Sequence, residues 1–219
     1  MARYKAVIFD MGGVMIDRPS NLIAGFEKEH GFPPHSIPRG FVDSAVQEAF
    51  ARMEKGEICM AEFDVVLKDS VRKTHGLELT AAFCELVDYA KPAMQPLEKM
   101  LRAVRMVRNN GYKTALLTNN YFADKEDSRP THPFGDELEE LFDVVVESCR
   151  VGMRKPNRDI YLHTLERLQC QPKEALFLED SEENVQGAID VGIQTVTVTS
   201  HDSALQELSQ LLGLPLTEA

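Results

Sequence analysis

Hydrophobic and polar positions along this chain of 219 residues follow two different rhythms. Near the start, Ala6-Val7-Ile8-Phe9 is an unbroken apolar run, the pattern of a strand buried on both faces. From about Pro19 to Lys91 the spacing turns helical. Phe41, Ala45, Ala49 and Phe50 mark one apolar face, Phe63, Val66, Leu67 and Val71 a second, and Phe83, Leu86 and Val87 a third. With no strand pattern in that stretch, three or four helices packed as a small bundle are expected. Beyond Pro96 the two rhythms alternate. Helices are predicted over 97–107, 160–168, 182–191 and 204–212, and strands over 114–117, 142–146, 175–178 and 195–198. Such alternation predicts an α/β fold with a doubly wound parallel, Rossmann-like sheet, its right-handed crossovers placing helices on both faces. Residues 1–18 and 95–219 then form the core, and 19–94 form a helical cap inserted after the first strand. The stretch 121–135 is expected to be a long surface loop.

The ends of the predicted strands carry polar groups. Asp10 closes the first strand and is followed by Met11, Gly12 and Gly13, glycines that allow a sharp turn and close approach to a ligand. Thr118, Asn119 and Asn120 follow the second strand, Lys155 lies in Met153-Arg154-Lys155-Pro156, and Glu179-Asp180 follow Leu176-Phe177-Leu178. Each has an ordinary reading. Thr118 suits a strand end, Asn119-Asn120 a turn, Lys155 a solvated surface, and Asp180 with Glu183 a capping box. In open α/β sheets, however, ligands bind beyond the carboxyl ends of the strands, where all of these would meet. A carboxylate nucleophile, a hydroxyl, an ammonium and further carboxylates are the parts of Mg²⁺-assisted phosphoryl transfer, in which fixed cations and donors neutralise crowded negative charge.

Charge narrows the partners. Lys and Arg total 24 against 35 Asp and Glu, a net charge of −11. So negative a surface disfavours nucleic acid and anionic membranes, leaving a small phosphorylated molecule drawn in by local features. No apolar stretch approaches the ~18 residues of a membrane span. Cys59, Cys84, Cys149 and Cys170 are widely spaced, without a Cys-x-x-Cys pair or a companion histidine cluster, which argues against zinc and against a disulfide framework. Reduced thiols, and an N-terminus that runs directly into the first strand without a secretory signal, suit a cytoplasmic protein.

With these motifs in this order, the chain resembles the haloacid dehalogenase-like hydrolase superfamily over nearly its whole length. Val146-Glu147-Ser148-Cys149, Val151-Gly152-Met153, Lys155-Pro156 and Phe177-Leu178-Glu179-Asp180 are most similar to the branch carried by soluble epoxide hydrolases and acyl-CoA dehydrogenase fusion proteins. The resemblance implies that the helical insert is a cap closing over the site. It implies that Asp10 attacks phosphorus and forms an aspartyl phosphate. Thr118 and the Asn119 amide would hold phosphoryl oxygens, and Lys155 would pair with Asp10 and the phosphate. Asp10, Asp180 and the Gly12 carbonyl would hold Mg²⁺, a hard cation that takes oxygen ligands. Glu179 would orient a metal-bound water or Lys155.

One position departs from the pattern. Phosphatases of this kind usually carry a second aspartate two residues after the nucleophile, as general acid and base; here that residue is Gly12. General acid–base catalysis is typically worth about 10²–10⁴-fold. Three outcomes stay open: Asp17, near the junction with the cap, substitutes as acid; the substrate has a good leaving group, such as an acyl phosphate or a sugar 1-phosphate; or the domain binds a phosphorylated ligand or partner without turnover. A dehalogenase is disfavoured, because Asp180 would then be redundant. A lipid phosphate is suggested by analogy alone.

Overall fold

Strand β1 (Ala6–Phe9) has all four side chains buried, and they divide between two cores by simple alternation. In this computed structural model, which describes residues 3–17, 22–124, 134 and 138–217, Val7 and Phe9 point to one face of the sheet. There they join Met100, Val104 and Val107 of α6 (Glu98–Asn109) and Leu205 and Leu208 of α11 (His201–Leu212). Ala6 and Ile8 point to the other face, against Ile160, Leu165 and Leu168 of α9 (Arg158–Leu168) and Ala188 of α10 (Glu182–Asp190). A continuous apolar run is therefore required, because neither face of this strand meets water.

Strands β2 (Lys113–Thr118), β3 (Val144–Glu147), β4 (Ala175–Glu179) and β5 (Gln194–Thr197) complete a five-stranded sheet in the order β3-β2-β1-β4-β5. Every pairing is parallel. The order reverses at β1, so the crevice that opens at such a switch point lies just beyond Asp10. Register aligns the edge: Phe9 sits opposite both Leu116 and Leu178, which brings the ends of β1, β2 and β4 to one level. The doubly wound α/β architecture expected from the alternation is thus present.

Between β1 and α6, helices α1 (Leu22–Glu29), α2 (Ser36–Gly40), α3 (Ser44–Glu54), α4 (Met60–His75) and α5 (Phe83–Ala90) share a separate apolar cluster that includes Phe26, Ile37, Val46, Met53, Phe63, Leu67, Val71 and Leu86. The rings of Phe41, Phe50, Phe63 and Phe83 interlock within it, with Phe63 and Phe83 centroids 4.9 Å apart. Among the described residues five helices stand where three or four were expected. The short α1 and α2 escaped because Pro38 and Gly40 disguise α2, whose start is held from a distance. The buried Glu27 carboxylate accepts the His35 and Ile37 amides at 2.8 Å each. The insert joins the core where Ile16 bridges Pro96 and the Leu97 amide donates to the Met15 carbonyl at 2.9 Å. The expected boundary at 18/19 lies outside the described residues.

Two differences affect the site. After a one-turn helix α7 (Leu138–Leu141), the strand expected at 142–146 begins at Val144, because the Asp143 carboxylate instead accepts the Thr114 amide at 2.8 Å. A one-turn helix α8 (Ser148–Val151) then separates β3 from Lys155, which is not at a strand end as expected but in the turn leading into α9. Of the predicted loop 121–135, residues 125–133 and 135 lie outside the described residues. No helix among the described residues is long and apolar enough to cross a membrane. All four cysteines are free thiols.

Candidate active site

Beyond β1 the chain doubles back on itself. The Met15 and Ile16 amides donate to the Met11 carbonyl at 2.8 and 3.0 Å, and the Gly13 amide donates to the Ile16 carbonyl at 2.7 Å. Gly13 has φ +85°, and a Cβ there would overlap the Asp180 carboxylate, so only glycine lets the turn lie against that side chain. Asp10 continues the ladder by donating its amide to the Leu178 carbonyl at 3.0 Å. Its side chain is thereby fixed in a pocket where the residue is 2% exposed.

Into this pocket reaches Lys155, 1% exposed. Its Nζ donates to Asp10 Oδ1 and to Glu179 Oε2, both at 2.6 Å, and lies 5.4 Å from the centre of the Phe177 ring. Burial alone pulls the ammonium's pKa down, but the charges of Asp10 and Glu179 outweigh it and hold the pKa above its usual value. Lys155 is therefore a permanent cation at the centre of the site. Glu179 is anchored as well as paired, since its Oε1 accepts the Asp180 and Ser181 amides at 3.1 Å each. Asp180 is not the cap of α10, a role taken by Ser181, so the capping-box reading does not hold.

One carboxylate oxygen from each of Asp10, Glu179 and Asp180 lies within 4.8 Å of the other two. An all-oxygen, anionic donor set fits a hard divalent cation such as Mg²⁺. Both Glu179 oxygens are engaged, one by Lys155 and the other by the Asp180 and Ser181 amides, so Asp10 and Asp180 are the side chains that could hold it.

The β2 end completes the rim. Thr118 is buried one residue past the level of Asp10, its hydroxyl 3.3 Å from the Asn119 carbonyl. The Asn119 side chain grips the backbone of Lys155 in both directions: Oδ1 accepts its amide at 2.9 Å and Nδ2 donates to its carbonyl at 3.1 Å. Asn120 is buried behind it, donating to Glu147 Oε1 at 2.9 Å and accepting the Tyr121 amide, while its own amide donates to Ser148 Oγ. The geometry thus brings Asp10, Thr118, Asn119, Lys155, Glu179 and Asp180 together. Asp17 is different: its side chain is exposed, and it lies outside the acidic cluster.

Two residues at this rim, Glu54 and Arg154, carry no local sequence signal for the contact they make. Glu54, at the end of α3, accepts Arg154 Nε at 2.6 Å and Asn119 Nδ2 at 3.4 Å. Its partners are 100 and 65 residues away, and no spacing pattern announces a contact of that span.

Comparison with known proteins gives a consistent picture. A family model described as haloacid dehalogenase-like hydrolase matches residues 4–192. Acyl-CoA dehydrogenase family member 10 of Mus musculus is 35% identical over 97% of this chain but only 20% of its own length. Bifunctional epoxide hydrolase 2 of Rattus norvegicus is 32% identical over 98% of this chain and 40% of its own. The chain therefore spans a fifth to two fifths of these relatives. A sesquiterpene phosphatase of Aspergillus oryzae is 28% identical over 96% of this chain and 97% of its own. Among solved structures, a HAD family enzyme of Bacteroides thetaiotaomicron, in complex with magnesium and inorganic phosphate, superposes with a TM-score of 0.63 at 26% identity, covering 89% of this chain and 93% of that one.

Proposed function

Since this chain belongs to the haloacid dehalogenase-like hydrolase family, we propose that it is a Mg²⁺-dependent phosphatase acting on a small phosphomonoester through an aspartyl-phosphate intermediate. One observation carries the reading: a buried ammonium, Lys155, shared at 2.6 Å between Asp10 and Glu179, with Asp180 beside them. A buried carboxylate paired with a fixed cation is ready to receive an anionic phosphoryl group, which would otherwise be repelled.

In the first step Asp10 forms a bond to phosphorus as the ester P–O bond breaks, and the electron pair of that bond leaves with the alcohol or acid oxygen. In the second, water attacks phosphorus, the bond from phosphorus to the Asp10 oxygen breaks with its electron pair returning to the carboxylate, and the proton that water gives up is taken by the alkoxide or carboxylate released in the first step. Lys155 neutralises the nucleophile and the equatorial oxygens throughout, while Thr118 and the Asn119 amide donate to those oxygens. Asp10, Asp180 and the Gly12 carbonyl would hold the Mg²⁺, which supplies Lewis-acid neutralisation of phosphoryl charge. Helices α1–α5 act as a cap that keeps water from the site.

Gly12 supplies no proton, and the exposed Asp17 is not poised to do so. A substrate whose leaving group departs as a weak base, an acyl or anomeric phosphate, therefore suits the site best. The same glycine favours the second reading, a domain that binds a phosphorylated ligand without turning it over. The resemblance to a sesquiterpene phosphatase of Aspergillus oryzae adds terpenoid phosphates to the compounds worth testing. Four free thiols are in keeping with a reducing, cytoplasmic setting.

Assay of a panel of acyl, anomeric, aryl, lipid and alkyl phosphates, with and without Mg²⁺, separates the two readings. The phosphatase releases phosphate only with Mg²⁺ and only with Asp10 intact. Equal inertness of wild type and Asp10→Asn across the panel leaves the binding domain.

A further inference from the structure

Glu54 places a carboxylate from the helical insert inside the core's catalytic rim, at 7% exposure. Burying a carboxylate is costly unless its oxygens are well satisfied. Here Oε2 accepts Arg154 Nε at 2.6 Å and Asn119 Nδ2 at 3.4 Å, and the Glu54 carbonyl accepts Ser148 Oγ at 2.5 Å. Burial pushes the Glu54 carboxyl up from its ordinary pKa, against the opposing pull of Arg154, so the contact is retained at some electrostatic cost.

The residues it touches are not scattered. Arg154 immediately precedes Lys155, and Asn119 holds the Lys155 backbone by both its amide and its carbonyl. From Glu54 the contacts run through Asn119 to the Lys155 backbone, and from Lys155 Nζ to Asp10. The seating is tight next door as well. Gly56 has φ +71°, and a Cβ there would overlap the Cys149 carbonyl, so the turn that follows Glu54 packs directly against α8. A surface ion pair would need none of this.

We propose that Glu54 is a positioning residue of the active site: supplied by the insert, it fixes Asn119 and Arg154 so that the Lys155 ammonium is held at Asp10. The kinetic consequence rests on the phosphatase reading above; the structural claim does not. The core's lysine turn is then only fully supported when the insert is seated on it.

Two conservative variants of the full chain decide the matter, because they separate reach from charge. Glu54→Gln keeps the reach and an acceptor oxygen, whereas Glu54→Asp keeps the charge and withdraws the oxygens by one methylene. Hydrogen exchange is followed in peptides covering 118–122 and 153–157, and kcat and KM are followed on any substrate that turns over. A positioning role predicts faster exchange in both peptides for Glu54→Asp, with Glu54→Gln near wild type. It also predicts a kcat loss of up to about 10²-fold for the Asp variant, the scale expected for an ångström of misplacement, largely recovered in the Gln variant. Exchange unchanged in both variants overturns the proposal. So does a Gln variant as impaired as, or more impaired than, the Asp variant, since the charge or its proton would then be what matters. If wild type hydrolyses nothing, the phosphatase reading falls, and the exchange data still decide the role of Glu54.

Discussion

Lys155 Nζ and Asp10 Oδ1 are 2.6 Å apart although 145 residues separate them in the chain, and both side chains are almost wholly buried. Glu179 holds the same ammonium from the other side at 2.6 Å. Removing the lysine would leave two carboxylates buried without their cation. Breaking a buried pair by deleting one partner typically costs about 3–5 kcal/mol. Lys155→Met is expected to lower the thermal midpoint by roughly 10 °C, taking about 2–4 °C per kcal/mol for a chain of this size. Adding Glu179→Gln to that variant should restore part of the loss, because one uncompensated charge goes with it. Calorimetric midpoints of the two single variants and the double variant measure this coupling directly.

Metal binding should be visible without any substrate. A cation held by Asp10 and Asp180 in the folded state alone raises stability by about 2.7 kcal/mol at a hundredfold excess over its Kd. The thermal midpoint of wild type is expected to climb with added MgCl₂ and to fall back with EDTA. Asp180→Asn should flatten that response. Gly13→Ala should do so too, because its methyl group would press on the Asp180 carboxylate and its backbone at φ +85° disfavours any side chain.

How far the site could be read from residues alone depended on distance along the chain. Asp10, Thr118 and Glu179-Asp180 are marked by the strands they terminate, because an apolar run followed by a polar group is a local signal. Lys155 was recognisable only from the motif around it, since α8 removes it from the strand end that periodicity would assign. Glu54 and Arg154 gave no such signal, for each looks like a surface charge until the fold brings α3 onto the α8–α9 turn. The same holds for Glu27, an ordinary helical glutamate by pattern, whose carboxylate organises the start of α2. Strand and helix positions in the core were legible because burial imposes periods of 2 and 3.6. The insert was harder, since α1 and α2 are too short for a period to repeat.

The cysteines offer a test of packing that involves neither metal nor substrate. Cys149 is buried beside Glu147, and desolvation followed by that negative charge pushes its thiol up to about 12. Burial raises Cys170 in the same direction. Thiolate, not thiol, is the reactive form. At pH 8 in the native state a thiol-reactive chromophore should label the exposed Cys84 quickly, and Cys59, Cys149 and Cys170 only after denaturation. Mass spectrometry of the labelled peptides distinguishes this from uniform labelling, which would mean that the core around α8 is open.

Gly12 is where the chemistry can be tuned in a single step. The backbone there is not in the left-handed region, unlike that of Gly13, so an aspartate can occupy it without conformational strain. A proton donor at that position would assist leaving groups in proportion to their basicity. Gly12→Asp is therefore expected to leave hydrolysis of acyl and aryl phosphates nearly unchanged, since their oxygens depart without a proton. Alkyl phosphates should gain, by up to about 10²–10⁴-fold in kcat/KM if the new carboxyl reaches the leaving oxygen. The slope of log kcat/KM against leaving-group pKa is the measurement: steep in wild type, shallow in the variant. Shallow slopes in both proteins would mean that the wild-type site already delivers a proton from elsewhere, and Asp17→Asn in the wild-type background would then show whether Asp17 is its source.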